Sequence, residues 1–176
     1  VPDGRLVVGA RPSVKAGAVL LQHEAPSRLV DLAQLVEAAG YEHLWLADER
    51  FFREVYASLT LCALHTRRVT LGPCVTDPYS RHPALTAMAV ATLDEISGGR
   101  AALGLGAGIS GFAQLGIVRR RPARAMAEAI EVIRRLLRGE TVHLRGEVVH
   151  FEGGRLDFAP ARPELPIYVA SNGPLG

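Results

Sequence analysis

Cysteine, methionine and tryptophan are scarce in this 176-residue chain, with two, two and one copies, and aromatic residues make up only 6% of it. The two thiols, Cys62 and Cys74, are too few for a disulfide framework. With six unclustered histidines they give no metal-ligand spacing, so a reducing, cytoplasmic setting and no metal are expected. Neither sign of charge dominates: 20 basic and 18 acidic residues are interspersed, the net charge is +2, and nothing asks for nucleic acid. Long apolar runs are missing as well. The longest uncharged stretch, Ala101 to Val118, contains five glycines with Ser110 and Gln114, a poor composition for lipid, which argues against a membrane span. The first residues have no initiating Met and no basic-then-apolar order, so residues 1–13 are read as a trimmed extension or cloning remnant and 14–176 as part of one domain.

What is present is an alternation of two periodicities, repeating at roughly the thirty-residue length of a strand-plus-helix crossover. Val14 to Leu21 reads as a first buried strand, and Ser27 as the N-cap of a helix with Leu29, Leu32, Ala33 and Val36 on one face and Gly40 at its end. His43 to Ala47 reads as the second strand, before a helix that buries Val55, Leu59, Cys62 and Ala63. The third strand, Val69 to about Val75, contains Gly72 and Pro73, which predicts a bulge or a close approach. Pro83 and Pro122 each open a further helix, with stripes of Leu85, Met88, Ala89, Leu93 and Ile96 in one and of Met126, Ala129, Ile130, Ile133 and Leu137 in the other. Ala101 to Gly106 is the fourth strand. Thr141 to Phe158 alternates around glycines as a small hairpin, and Pro166 to Ala170 is the fifth core strand.

Strands separated by helices require a parallel sheet, so the class is α/β. A complete eight-unit barrel needs on the order of 250 residues. The chain is therefore expected to supply about five strands and four helices of one, either as part of a longer polypeptide or as a half-barrel whose open edges pair with another chain.

Ligands of parallel α/β folds lie at the carboxyl ends of the strands. Those positions are Gln22, His23 and Glu24, then Asp48 and Glu49, Thr76 and Asp77, Gly108 and Ser110, and finally Ser171 and Asn172. Gly106 to Gly111 spells the glycine fingerprint of dinucleotide-binding folds. That fingerprint needs a helix opening at its last glycine and an acidic strand end about twenty residues on, whereas Glu128 and Glu131 fall inside a predicted helix. The loop is read instead as a backbone turn, or as a segment kept thin for the approach of a flat ring or a phosphate.

Four collinear segments, GYEHLWLADERF (40–51), LGPCVTDPYSRHP (71–83), ATLDEISGGRAALGLGAG (91–108) and PIYVASNGP (166–174), resemble the luciferase-like flavin oxidoreductases. The resemblance is strongest to the branch similar to methylenetetrahydromethanopterin reductase, which uses coenzyme F420, and covers about the first half of a typical member. It implies a (β/α)8 barrel of the luciferase-like type and a homodimer packed through helices near the second and third strands. It implies a non-prolyl cis peptide between Cys74 and Val75 as a backstop for the deazaflavin ring, with Thr76, Asp77, Gly106, Ala107 and Gly108 around that ring. Ser171, Asn172 and Gly173 would approach the coenzyme phosphate or ribityl tail, and His23 and Glu24 the substrate. The family commonly has Asp then His after the second strand, whereas this chain has Asp48 then Glu49, so Glu49 is either an acid–base group or one half of an ion pair with a nearby Arg. The activity implied is hydride transfer between reduced F420 and a small organic substrate. The alternatives are an FMN-dependent monooxygenase, or a non-catalytic half-barrel that binds only cofactor or a partner chain.

Overall fold

A computed structural model describes residues 15–171 apart from residue 109. Asn172, Gly173 and the segment 1–13 lie outside the described residues. Eleven elements follow in order: β1 (Gly17–Leu20), α1 (Pro26–Ala38), β2 (His43–Leu46), α2 (Val55–His65), β3 (Thr70–Pro73), α3 (Pro83–Ser97), β4 (Leu103–Gly106), α4 (Pro122–Leu137), β5 (Val142–Arg145), β6 (His150–Gly154) and β7 (Ile167–Ala170). β1, β2 and β3 pair in parallel, as do β4 and β7. Parallel bridges at Leu71 with Ala101 and at Thr76 with Leu105 join the two ladders into one wall, ordered β1-β2-β3-β4-β7. The fifth core strand expected from sequence is β7, and β5 and β6 are the antiparallel hairpin inserted before it.

Period-two alternation gives the wall two different faces. Leu44, Leu46, Leu71, Leu103 and Leu105 are buried against the helical layer, with Leu59, Leu93 and Ile133 on the opposing side. On the other face His43 stacks on Trp45, and Tyr168 meets both edge-on. A side chain at Gly72 would collide with Trp45 and the Ala102 carbonyl, so glycine there lets the indole lie flat on the wall.

Two local expectations are corrected. Ser27 does not cap α1. Pro26 takes the first helical position, where its fixed φ suits the turn, and Ala25 precedes it without a side-chain cap. On α3 the expected stripe is only partly inward: Leu93 is buried and Ala89 packs against the core, but Leu85, Met88 and Ile96 are 50%, 46% and 41% exposed, and Thr86, Ala87, Val90, Ala91 and Asp94 are buried instead. α3 is apolar on both faces, and the small side chains face inward because the helix packs between α2 and α4.

Carboxylates projecting from the helices bind the loops beside them. Glu37 of α1 accepts the N–H groups of Arg67, Arg68 and Val69 just before β3. Glu128 of α4 accepts those of Glu147, Val148 and Val149 at 2.8–3.0 Å, together with Nε of Arg124 at 2.7 Å, and so holds the β5–β6 hairpin. His82 hooks the same hairpin from the other side. Its Nδ1 accepts the Ala84 N–H at the start of α3, which leaves Nε2–H to donate to the His150 carbonyl.

Burial opposes the charge on Glu128, but the Val149 and Val148 amides and Arg124 outweigh it and hold the carboxyl below its usual range. A lowered folded pKa contributes stability above the unfolded value that is lost as pH falls through the folded one. Glu128→Gln is therefore expected to cost about 2 kcal/mol at pH 7 and almost nothing at a pH below the folded value. Urea unfolding at the two pH values checks this, and an equal loss at both would contradict it.

Candidate active site at the carboxyl ends of the strands

β3 leaves the ladder at Pro73, and the peptide joining Cys74 to Val75 is cis. The chain rejoins the wall at once, as Thr76 donates its N–H to Gly104 and accepts that of Gly106 at 3.0 and 2.9 Å. Glycines in β4 make this route possible. A Cβ at Gly104 would fall on the Pro73 carbonyl oxygen, and one at Gly106 would come 2.5 Å from a Val75 methyl. Gly108 has φ of +62°, and a Cβ there would meet Phe112 at 2.5 Å. The glycine run is thus required first by the packing of the chain against itself.

On the open face, in front of Cys74 and Val75, lies an apolar hollow of about 160 Å³ lined by Trp45, Cys74, Val75, Gly104, Tyr168, Val169 and Ala170. Burial raises the Cys74 thiol above its ordinary range and pushes that of Cys62 up to about 12, so neither is a thiolate near neutral pH. Among the described residues no three His, Cys, Asp or Glu side chains are grouped to hold a metal ion.

The polar strand ends divide into two groups. Asp77 is fully buried and anchors a turn: it pairs with Arg50 and accepts from the Tyr79 and Ser80 N–H groups and the Ser80 hydroxyl. Arg50 also donates to the Asp48 carbonyl and lies over the Phe112 ring. The Asp77 carboxylate is therefore committed to fixing the loop after β2 against the loop after β3. Glu49 accepts the Ser110 hydroxyl on both oxygens, at 2.6 and 2.7 Å, and the Arg50 N–H at 3.1 Å. The ion pair with an arginine, one of the two readings of Glu49, does not form among the described residues, because the nearby Arg50 side chain turns to Asp77. Asp48 is largely withdrawn from water, which raises its carboxyl above the usual range against the opposing Thr76 hydroxyl, Arg81 and Arg50.

The β1 end forms a separate, more open cleft of about 520 Å³ lined by Gln22, His23, Phe51, Phe52 and Arg53. His23 packs on Phe52 with centroids 4.3 Å apart, Arg53 donates to the Gln22 and His23 carbonyls, and Glu24 is exposed. Ser171 lies exposed after β7, and Ala107 is partly buried against the core. The structure thus brings Asp48, Glu49, Cys74 to Asp77 and Gly106 to Gly108 together, and leaves His23 at a neighbouring cleft and Glu24 exposed beside it in sequence. Sequence reasoning overlooked Arg50, Gly104 and Phe112. The signal for Arg50 was the need of a buried Asp for a cationic partner.

The Gly106 to Gly111 run does not open a helix. Turns follow it, and the next helix begins only at Pro122.

The model of the luciferase-like monooxygenase family matches residues 7–176. The chain belongs to that family. It is 46% identical over 142 residues to the 5,10-methylenetetrahydromethanopterin reductase of Archaeoglobus fulgidus, covering 80% of this chain and 42% of that protein. The structure of the coenzyme F420-dependent tetrahydromethanopterin reductase from Methanopyrus kandleri matches with a TM-score of 0.85 and 33% identity, over 92% of this chain and 51% of that one. The F420-dependent hydroxymycolic acid dehydrogenase of Mycobacterium tuberculosis is 35% identical, over 93% of this chain and 49% of that protein. The chain spans about half the length of these relatives. Its wall and helices form part of the luciferase-like TIM barrel.

Proposed function

We infer that this chain carries the coenzyme-binding wall of an F420-dependent oxidoreductase that moves a hydride between reduced deazaflavin and a small organic substrate. The observation that carries the reading is the apolar hollow in front of Cys74 and Val75. It has Gly104 in its lining and Trp45 and Tyr168 among its walls, a shape and polarity suited to one face of a planar ring. The names of two of the relatives above specify F420.

When bound, the deazaflavin supplies the hydride, and the chain supplies position. Cys74 and Val75 bear on the ring, and Thr76 holds them in register with β4. Gly106, Ala107 and Gly108 border the ring, and Ser171, Asn172 and Gly173 serve the phosphate-bearing tail. The buried Arg50–Asp77 pair keeps two of the surrounding loops fixed, so little reorganisation is needed on binding. Glu49 lies beside the Gly108 loop, held by Ser110, where its carboxylate can accept a proton or a hydrogen bond. His23 and Glu24 are assigned to the substrate in this reading.

The reading includes a homodimer. Leu85, Met88 and Ile96 of α3 and Leu64 of α2 present apolar side chains outward, where a second copy would cover them. The two free cysteines suit a reducing cytoplasm.

Fluorescence titration of the purified protein with F420 and, separately, with FMN tests the assignment. Micromolar F420 binding with hydride exchange is expected. FMN binding alone would favour the monooxygenase chemistry, and binding of neither would overturn the reading.

A further inference from the structure

Positive charge gathers at one place on the chain. Residues 96–127 hold no Asp or Glu, the longest stretch without one, and Arg119, Arg120, Arg121 and Arg124 follow each other there at the entry to α4. All four are exposed. Arg121 pairs with Glu147, and Arg124 with Glu147 and Glu128, so these two share what acid there is. Arg119 and Arg120 pair with no carboxylate among the described residues. The carboxylates of the adjoining loops do not quench the run either, because Asp77 is bound to Arg50 and Glu49 accepts from Ser110. Four guanidinium groups against two carboxylates leave a field of one sign over this patch.

The patch is fixed at the rim of the candidate site. Arg119 donates from Nη1 to the Gly108 carbonyl at 2.9 Å, and the Tyr79 hydroxyl donates to the Arg120 carbonyl at 2.7 Å. Phe112, which is buried, meets the Tyr79 ring edge-on. The arginines are thereby tied to the loops after β3 and β4, on the side of the wall where Gly106 to Gly108 lie. We propose that Arg119, Arg120 and Arg121 form a docking rim for the anionic tail of the coenzyme, a flexible chain that carries one phosphodiester and several γ-linked glutamate carboxylates. The hollow before Cys74 and Val75 is apolar and suits only the ring, so the charged end must be met outside it. Guanidinium groups take phosphate and carboxylate oxygens through paired N–H donors. Arg119 commits one donor nitrogen to Gly108 and keeps the others, while the Arg120 side chain makes no bond that the fold needs and can follow a mobile chain. FMN ends in a single phosphate, so a rim of this kind favours the longer, more highly charged coenzyme. Because the arginines are exposed, their contribution is salt-sensitive.

The inference rests on the coenzyme reading, and its test separates the two. Fluorescence titration compares F420 bearing a long γ-glutamyl tail with the form cut back to the phospholactate, in the wild type, Arg120→Glu and Arg120→Lys, at low and high salt. The wild type is expected to bind the long form about fivefold to tenfold more tightly at low salt, the sum of a few exposed charge pairs. That advantage is expected to shrink below about twofold near 1 M salt, where such pairs are screened. Arg120→Glu is expected to remove most of it at low salt while binding the short form as the wild type does, and Arg120→Lys to keep it. Equal affinity of the wild type for both forms, or an advantage that survives both salt and Arg120→Glu, overturns the proposal. If neither form binds, the coenzyme reading falls, and tetra-γ-glutamate alone judges the rim. Its titration is expected to shift the side-chain Nε–H resonances of Arg119 and Arg120, assigned with Arg119→Gln and Arg120→Glu, and the absence of any shift overturns the proposal.

Discussion

Arg162→Ala is expected to destabilise the chain by about 3 kcal/mol, which makes it one of the costliest single substitutions outside the candidate site. Its partner Asp94, on the inner face of α3, is 1% exposed. Arg162 grips Asp94 through Nε at 2.9 Å and Nη2 at 2.5 Å and donates a further bond to the Ala101 carbonyl, while the Ala101 N–H binds Asp94. Four groups from three parts of the chain thus meet at the start of β4: the end of α3, the entry to β4 and the loop leading to β7. Alanine at 162 leaves the Asp94 carboxylate inside the protein with only an amide for company, the case in which a broken buried pair costs most. Asp94→Ala should cost less, because Arg162 lies partly in solvent and can turn outward. Urea unfolding of the two single variants and the double variant measures the asymmetry. A double variant less stable than Arg162→Ala would mean that the stranded carboxylate is not the source of the loss.

That junction was invisible in the sequence because its members are 68 residues apart and nothing local marks them as partners. The same holds for Glu49 with Ser110, separated by 61 residues, and for Glu128 with the hairpin. Local features read well where local physics decides. α4 separates polar from apolar residues around its circumference, so its buried face was legible, with Met126, Ala129 and Ile133 inward as expected. α3 has apolar residues on all sides, and side-chain size, set by the neighbouring helices, chose its inner face. Pro26 overrode Ser27 because a proline at the first helical position fixes the start more firmly than a serine one place later. The location of the candidate site was legible from topology alone, since strand ends follow from strand order. The resemblance to the family supplied the Cys74–Val75 geometry, which composition and periodicity could not have supplied. The commitment of Asp77 to Arg50 could be seen only once both loops were placed.

Gly104→Ala should have the larger effect on the site itself. At this position β4 passes β3 where β3 has left the ladder, and an added methyl would land on the Pro73 carbonyl oxygen. Backbone cannot rotate away as a side chain can, so the two strands must separate. The bonds closest to the contact are those from Ala102 to Leu71 at 2.8 Å and from Thr76 to Gly104 at 3.0 Å, and the strain falls on them. The expected loss is about 3 kcal/mol, the upper range for overpacking, with F420 affinity reduced at least about tenfold, equivalent to 1.4 kcal/mol. Gly106→Ala is the informative comparison. The obstacle there is a Val75 methyl, so stability should fall by about 1 kcal/mol while the displaced Val75 intrudes on the hollow and coenzyme affinity drops comparably to Gly104→Ala. Paired unfolding and F420 titrations separate the two effects. If both variants bound coenzyme as the wild type does, the hollow before Cys74 and Val75 would not be where the ring rests.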